Sequence, residues 1–280
     1  MPTIKLSFCK AMKNNKLTAY FDQFKTGLLQ TYPGLGLSYF EECFILSQLS
    51  IEEFLKKVNE KIPLEYITGK AFFYNHYFMV SNSVLIPRCE TEILVEMALS
   101  YLASLTCLEV VVADVGTGSG NIILSVVNDT NKKIRAIATD LSFDALVVAR
   151  KNGACLQKDD SEVIFVQTDR LLGVDEQFNL IVSNPPYIKR QLDEKKVHAS
   201  VIQHEPHMAL FLEDSQYEAW FTDLFAQVRD KLKPGGMFLM EGHEDHLEKL
   251  QELAMQMSLA KVQILKDYNN RNRFLKAFKE

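Results

Sequence analysis

From Glu109 onward, short apolar runs rich in Val, Ile and Ala alternate with segments of helical periodicity. This alternation constrains the fold more than any other feature. Strands are predicted at 110–115, 134–139, 163–167, 178–183, 236–241, 261–266 and 273–278, with helices near 120–129, 142–153, 216–232 and 243–258. Alternation of this kind builds a mostly parallel sheet with helices on both faces. Only Asp267 to Asn272 separate the last two strands. That is too short for a crossover helix, so the final strand is predicted antiparallel.

The upstream third reads differently. Leu17, Tyr20, Phe21, Phe24 and Leu28 form one stripe of a helix, which the Thr31-Tyr32-Pro33-Gly34 turn breaks. A second apolar segment runs from Ser38 to Leu49. Ser50 and Glu53 have the spacing of a capping box, opening a third helix with Phe54, Leu55 and Val58, which Pro63 ends. Between residues 70 and 87, Phe72, Phe73, Tyr77, Phe78, Val80, Val84 and Ile86 favour strands, and the predicted hairpin turns at Ser81-Asn82-Ser83. Residues 1–69 are therefore expected to form a helical unit for packing or partner docking, 70–90 a linking β-hairpin, and 91–280 the α/β domain.

The 280 residues carry a formal charge of −5. A chain that lives on a phosphate backbone usually shows a basic excess, so nucleic acid is not the expected substrate. Five widely spaced cysteines without a C-x-x-C suit a reducing compartment rather than a disulfide framework or a zinc site. No charged-then-apolar leader and no apolar run of about 18 residues is visible, so a cytoplasmic monomer without membrane contact is expected.

The first of these strands leads into Asp114-Val115-Gly116-Thr117-Gly118-Ser119-Gly120, which opens a helix. Glycines there permit positive φ and close approach of a ligand to the backbone. The next strand ends in Asp140, at the spacing of an acid that accepts hydrogen bonds from ribose hydroxyls. Asp140 could instead cap the following helix, although Ser142 is better placed to do so. The third glycine comes one residue earlier than in pyrophosphate-binding loops, and a leading carboxylate would repel a pyrophosphate. It suits a ligand bearing an ammonium group or a positive sulfur, and S-adenosyl-L-methionine carries both.

The fourth strand ends in Asn184-Pro185-Pro186-Tyr187. Neither proline has an N–H, so the ladder stops there and the backbone is frozen. The turn presents an amide, free carbonyls and an aromatic ring, a grip for a planar amide or amino group. In a doubly wound sheet the first and fourth strands are neighbours, which puts this turn beside the glycine loop.

These residues resemble the protein-(glutamine-N5) methyltransferases of peptide-chain release factors. The resemblance runs from about residue 62 and includes Pro63 to Gly69, Leu85 to Arg88, Glu90 to Glu92, Asp114 to Gly120, Ile181 to Tyr187, and Glu205-Pro206. It implies a class I S-adenosylmethionine-dependent methyltransferase: a Rossmann-like seven-stranded sheet, last strand antiparallel, with a small N-terminal helical substrate-docking domain. It also implies class 1 release factors as the partner, methylated on the Gly-Gly-Gln glutamine. Gly116, Thr117, Gly118, Ser119, Gly120, Asp140, Asp169, Arg170 and Asn184 match cofactor-contacting positions. Asn184, Pro185, Pro186 and Tyr187 match the glutamine-binding motif.

There are departures. Arg170 follows Asp169 where the family often has an aromatic residue, so Arg170 would stack in its place or leave that face of the adenine open. Cys89 stands where proline is common, and the segment Asp267 to Arg271 lacks a second acid.

The expected chemistry has Asn184 Oδ1 and the Pro185 carbonyl accepting the two hydrogens of the substrate amide, with Tyr187 packed against its plane and no metal needed. Arg88 could meet a cofactor carboxylate but is expected to brace the loop near Glu90. Glu205 could close the site or be a buried structural acid. His204 with His207, and His243 with His246, could ligate a metal; incidental histidines and a polar helix start are preferred. Lys189, Arg190, Lys195 and Lys196 read as a solvated face that could steer a partner. Two rival functions are a DNA or RNA adenine N6-methyltransferase and a non-catalytic binding module on the same fold.

Overall fold

The computed structural model describes residues 15–158 and 160–280, which fall into two compact units, Met1–Gly69 and Lys70–Glu280. No helix of the described residues is long and apolar enough to cross a membrane.

The smaller unit holds helices at Asn15–Thr31, Leu37–Ser47, Ile51–Asn59 and Leu64–Thr68. Leu17, Phe21 and Leu28 of the first helix pack into a core with Phe40, Cys43, Phe54 and Val58. Phe24 departs from the predicted stripe. It is 46% exposed and rests on the Tyr20 ring, 4.7 Å away, because its position lies beyond the edge of the buried face. The capping box is present: Ser50 Oγ accepts from the Glu53 amide at 3.2 Å, and Glu53 accepts from the Ser50 amide at 3.2 Å. Ser50→Ala should lower the stability of this unit by about 1 kcal/mol; chemical denaturation followed by far-UV circular dichroism reads the shift. Pro63 does not merely stop a helix. It sits at the N-cap of Leu64–Thr68, where its missing N–H costs nothing, and Gly69 closes that helix at φ 69°.

The larger unit begins with an antiparallel hairpin, β1 (Lys70–Phe73) and β2 (His76–Met79). Its turn lies at Tyr74-Asn75, not at Ser81–Ser83. Both residues have positive φ, 43° and 68°, as a two-residue hairpin loop of the primed type requires. Tyrosine is an unusual occupant, and Glu92 holds it there by accepting from the Tyr74 amide at 3.1 Å.

Seven strands form the main sheet: β3 (Glu109–Val115), β4 (Lys133–Asp140), β5 (Glu162–Gln167), β6 (Phe178–Ser183), β9 (Leu232–Glu241), β10 (Ala260–Lys266) and β11 (Asn272–Phe278). β7 (Ile188–Lys189) and β8 (Phe211–Leu212) pair separately. The order β10-β11-β9-β6-β3-β4-β5 makes β3 and β6 neighbours, as expected. The sheet is parallel except for β11, which runs antiparallel to both β9 and β10. The β10–β11 turn is fastened by Asp267 Oδ1, which accepts from the amides of Asn269 and Arg271 at 2.9 and 3.0 Å.

The side-chain period of two decides which core each strand residue joins. Val110, Val112, Leu180, Val182, Met237 and Leu239 pack with helices Thr91–Ser104 and Asn121–Asp129. Ala113, Val115, Ile181, Phe238 and Met240 face helices Tyr217–Lys231 and Leu247–Gln256 on the other side. Burial on both faces is why these strands read as unbroken apolar runs.

Candidate active site

β3 and β6 end in register, with Val115 opposite Ser183. Ser183 Oγ donates to the Val115 carbonyl at 2.8 Å, which ties the two strand ends together where the loops depart. The glycine loop leaves one and the Asn184 turn the other, so the topology brings both motifs to one cleft. That cleft has a volume of about 290 Å³, and its lining includes Gly116, Thr117, Gly118, Ser119, Asp140, Asp169, Arg170, Asn184, Pro185 and Pro186.

The loop's shape follows from its glycines. Gly116 and Gly118 have φ of 72° and 55°, and a Cβ on either would project into open space. Bare backbone thus faces the cleft and can cradle a ligand. Thr139 O accepts from the amides of Gly116 and Thr117 at 2.9 and 2.8 Å. Gly120 is set differently and does not line the cleft. A Cβ there would sit 3.1 Å from Leu124 Cδ1, so this glycine serves the approach of the helix it caps.

Asp140 accepts from the Gly118 amide through Oδ2 and from the Ser142 amide through Oδ1, each at 2.9 Å. Ser142 itself caps the next helix, accepting from Ala145 N at 3.2 Å. Each Asp140 oxygen retains lone-pair capacity toward the cleft. Burial raises its pKa, and the backbone donors Ser142, Gly118 and Leu141 counter that shift.

Asp114 does not line the cleft. Its carboxylate is fully buried beneath the loop, accepts from Thr117 Oγ1 at 2.7 Å through Oδ2, and leaves Oδ1 without a partner. Burial pushes its pKa up to about 7, opposed by the Thr117 hydroxyl and the Ile123 backbone and reinforced by the Asp140 charge. The folded value exceeds the unfolded one, so this contribution to stability is complete below about pH 4 and is lost as pH rises through about 7, by at most about 1.4 kcal/mol per pH unit. Urea unfolding of the cofactor-free protein should show that loss between about pH 4 and 7. Asp114→Asn should remove it; an unchanged pH dependence in the variant would exclude Asp114 as the cause.

At the far end of the cleft, Arg170 takes a positive φ of 54° and stacks its guanidinium 4.9 Å above Trp220. It also pairs with Asp169 at 2.9 Å. Trp220, the one tryptophan of the chain, lines the cleft. It comes from a helix 50 residues downstream, and no local pattern marks it.

The Asn184 turn is held from behind by residues that sequence reasoning did not assign. Asn184 Nδ2 donates to Thr91 Oγ1 at 3.1 Å, and Thr91 donates to Glu241 Oε2 at 2.6 Å. Tyr187 donates its hydroxyl to Glu241 Oε1 at 3.0 Å. Burial raises the pKa of Tyr187 and of Glu241. Asn184 Oδ1 and the Pro185 carbonyl accept no hydrogen bond from the described residues. Asn184, Pro185 and Tyr187 also border a second cavity of about 160 Å³, otherwise lined mainly by Leu85, Ile188, Val197, Val201, Ala209 and Leu210. Tyr187 lines this smaller cavity and not the main cleft.

Arg88 braces a loop through Glu205: Arg88 Nη2 and the Ile86 amide donate to Glu205 at 2.5 and 3.1 Å. Glu205 is thus a buried acid that clasps two segments 117 residues apart in sequence. His243 and His246 precede the helix Leu247–Gln256 and are joined by Asp193, which the sequence did not single out. His246 Nε2 lies 2.7 Å from Asp193 Oδ2, Lys196 Nζ lies 3.1 Å from Oδ1, and the Asp245 amide donates to His243 Nδ1 at 3.2 Å. In the charged loop, Arg190 pairs with Glu213 at 2.9 Å, and Lys189 stands 4.7 Å over the Tyr217 ring.

The Methyltransferase small domain family matches residues 91–210, the span from Thr91 through the Asn184 turn and Glu205 to Leu210. The catalytic domain of hMettl16 shares the fold, with a TM-score of 0.56 at 16% identity over 72% of this chain and 75% of that one. Curated relatives are much nearer. A release factor glutamine methyltransferase of Leptospira interrogans is 37% identical over 230 residues, 80% of this chain and 77% of the relative. One of Flavobacterium psychrophilum is 32% identical over 232 residues, covering 81% and 79%. Identity at that level over about four-fifths of the chain, together with a glycine loop and an Asn-Pro-Pro-Tyr turn at one cleft, establishes that this chain belongs to the release factor glutamine methyltransferase family.

Proposed function

We propose that this protein transfers a methyl group from S-adenosyl-L-methionine to the side-chain amide nitrogen of the Gly-Gly-Gln glutamine of class 1 release factors. The observation that carries the reading is the pair of free acceptors, Asn184 Oδ1 and the Pro185 carbonyl, at the wall of the cleft that holds the glycine loop. A primary amide has two hydrogens on nitrogen, and two acceptors fix its plane and direction.

The open backbone at Gly116 and Gly118 and the acceptors of Asp140 fit a nucleoside with an amino-acid tail. Asp140 would take the ribose hydroxyls, the Gly116–Ser119 backbone would cradle the tail, and Asp169, Arg170 and Trp220 would face the base. When bound, the cofactor supplies a methyl group already activated on a positive sulfur, so no residue here has to create a leaving group. The protein's task is alignment. Asn184 and Pro185 hold the nitrogen in line and favour the positive charge that grows on it as the new N–C bond forms. The amide then gives up one proton to solvent.

The helical unit Met1–Gly69 is read as the docking domain for the release factor, and the protein as a cytoplasmic monomer. The test is mass spectrometry of a purified class 1 release factor after incubation with the protein and S-adenosyl-L-methionine. A gain of one methyl on the loop glutamine is expected. Methylated nucleic acid with an unmodified release factor would overturn the reading in favour of an adenine methyltransferase.

A further inference from the structure

Resting on that reading, we infer that Thr91 and Glu241 act as positioning residues that fix which end of the Asn184 amide faces the methyl acceptor. An asparagine amide fits its space equally well in two orientations, one presenting oxygen and the other NH₂. Only the first can accept a hydrogen from the substrate. Packing cannot distinguish them, because the two ends are nearly the same size. Hydrogen bonding can.

Thr91 Oγ1 carries a single hydrogen. The Glu241 carboxylate takes it at 2.6 Å, which leaves only lone pairs on Thr91 Oγ1 toward Asn184, 3.1 Å away. Asn184 must therefore turn its NH₂ to Thr91 and its oxygen to the cleft. The reverse orientation would set two acceptors against each other in a buried site, where an unmade hydrogen bond is costly. The other Glu241 oxygen accepts from Tyr187 at 3.0 Å, so one carboxylate holds both ends of the four-residue turn.

Thr91 and Glu241 are each 1% exposed, and they come from different elements, the first turn of helix Thr91–Ser104 and the last residue of β9. The charge of Arg273 acts on Glu241, but the hydrogen bonds of Glu241 among the described residues come from the two hydroxyls. A buried carboxylate whose hydrogen-bond partners there are two hydroxyls is an expensive way to fill space. It is a direct way to dictate the direction of two hydroxyl hydrogens.

The experiment compares Thr91→Val with Thr91→Ser, using release-factor methylation for kcat and KM and calorimetry for cofactor affinity. Valine matches threonine in shape and lacks the hydroxyl; serine keeps the hydroxyl and loses the methyl. The expected result is a kcat lower by roughly 10- to 100-fold for Thr91→Val, with cofactor affinity within about threefold, and a kcat within about threefold of the parent for Thr91→Ser. A packing role predicts the opposite ranking, and that ranking would overturn the inference. If Thr91→Val fails to fold, Thr91→Ala against Thr91→Ser gives the same comparison, and equal loss in both would reject the role. Failure of the parent protein to methylate the release factor would instead remove the reading on which the inference rests.

Discussion

Asn184→Ala should lower kcat for release-factor methylation by roughly 10³-fold, about 4 kcal/mol of transition-state stabilisation. On the proposed reading, the alanine removes an acceptor that would fix the substrate nitrogen, and alignment would be the protein's main contribution to a reaction whose methyl group arrives activated. The fold should survive. Asn184 lies beyond the end of β6, and its one side-chain bond, to Thr91, can be replaced by water from the adjoining cleft. Cofactor affinity, measured by calorimetry, should fall by less than about tenfold, because the proposed ribose and base contacts lie elsewhere. Turnover within about tenfold of the parent would remove Asn184 from the mechanism.

Asp140→Ala should act on the other partner, weakening cofactor binding by about 10²-fold or more. Two losses combine. On the proposed reading the ribose would lose its acceptor, and charge-assisted hydrogen bonds of this kind contribute about 1.5–3 kcal/mol each. The loop also loses its fastening, since Asp140 holds the amides of Gly118 and Ser142. Asp140→Asn separates the two, because it keeps an acceptor oxygen while removing the charge, and it should fall between the parent and Asp140→Ala. Titration of S-adenosyl-L-homocysteine into each protein measures the series. Affinity within about threefold for Asp140→Ala would show that the ribose is held elsewhere.

Most of the larger unit was legible in the chain because its strands are buried on both faces and its helices bear one apolar stripe, so each element's period names its type. The short connection from Asp267 to Arg271 gave the direction of β11 for the same kind of reason, since chain length limits where it can go. The hairpin was misplaced by several residues because the turn uses Tyr74 at positive φ, a conformation that side chain does not advertise and that Glu92 imposes from another element. Phe24 shows the same limit on a helix: periodicity gives a stripe, while the neighbours decide how wide the buried part of it is.

The site divides along a similar line. Gly116, Gly118, Asp140 and Asn184-Pro185-Pro186-Tyr187 could be read from the chain because each depends on local backbone: positive φ, a strand end, a turn without N–H groups. Trp220, Asp193 and the Thr91–Glu241 pair could not. They meet the site across 50, 50, 93 and 54 residues of sequence respectively, counting from Arg170, His243, Asn184 and Tyr187, and they act through contacts that exist only once the sheet has assembled. By itself, then, the sequence determined the fold, the cleft and the chemical groups within it. Only the tertiary structure decided that Asp114 lies under the loop instead of in the cleft, that Arg88 pairs with Glu205, and that Thr91 links Asn184 to a buried carboxylate. A sequence pattern specifies backbone conformation and residue type locally, whereas the direction of a hydrogen bond depends on which distant group arrives to receive it.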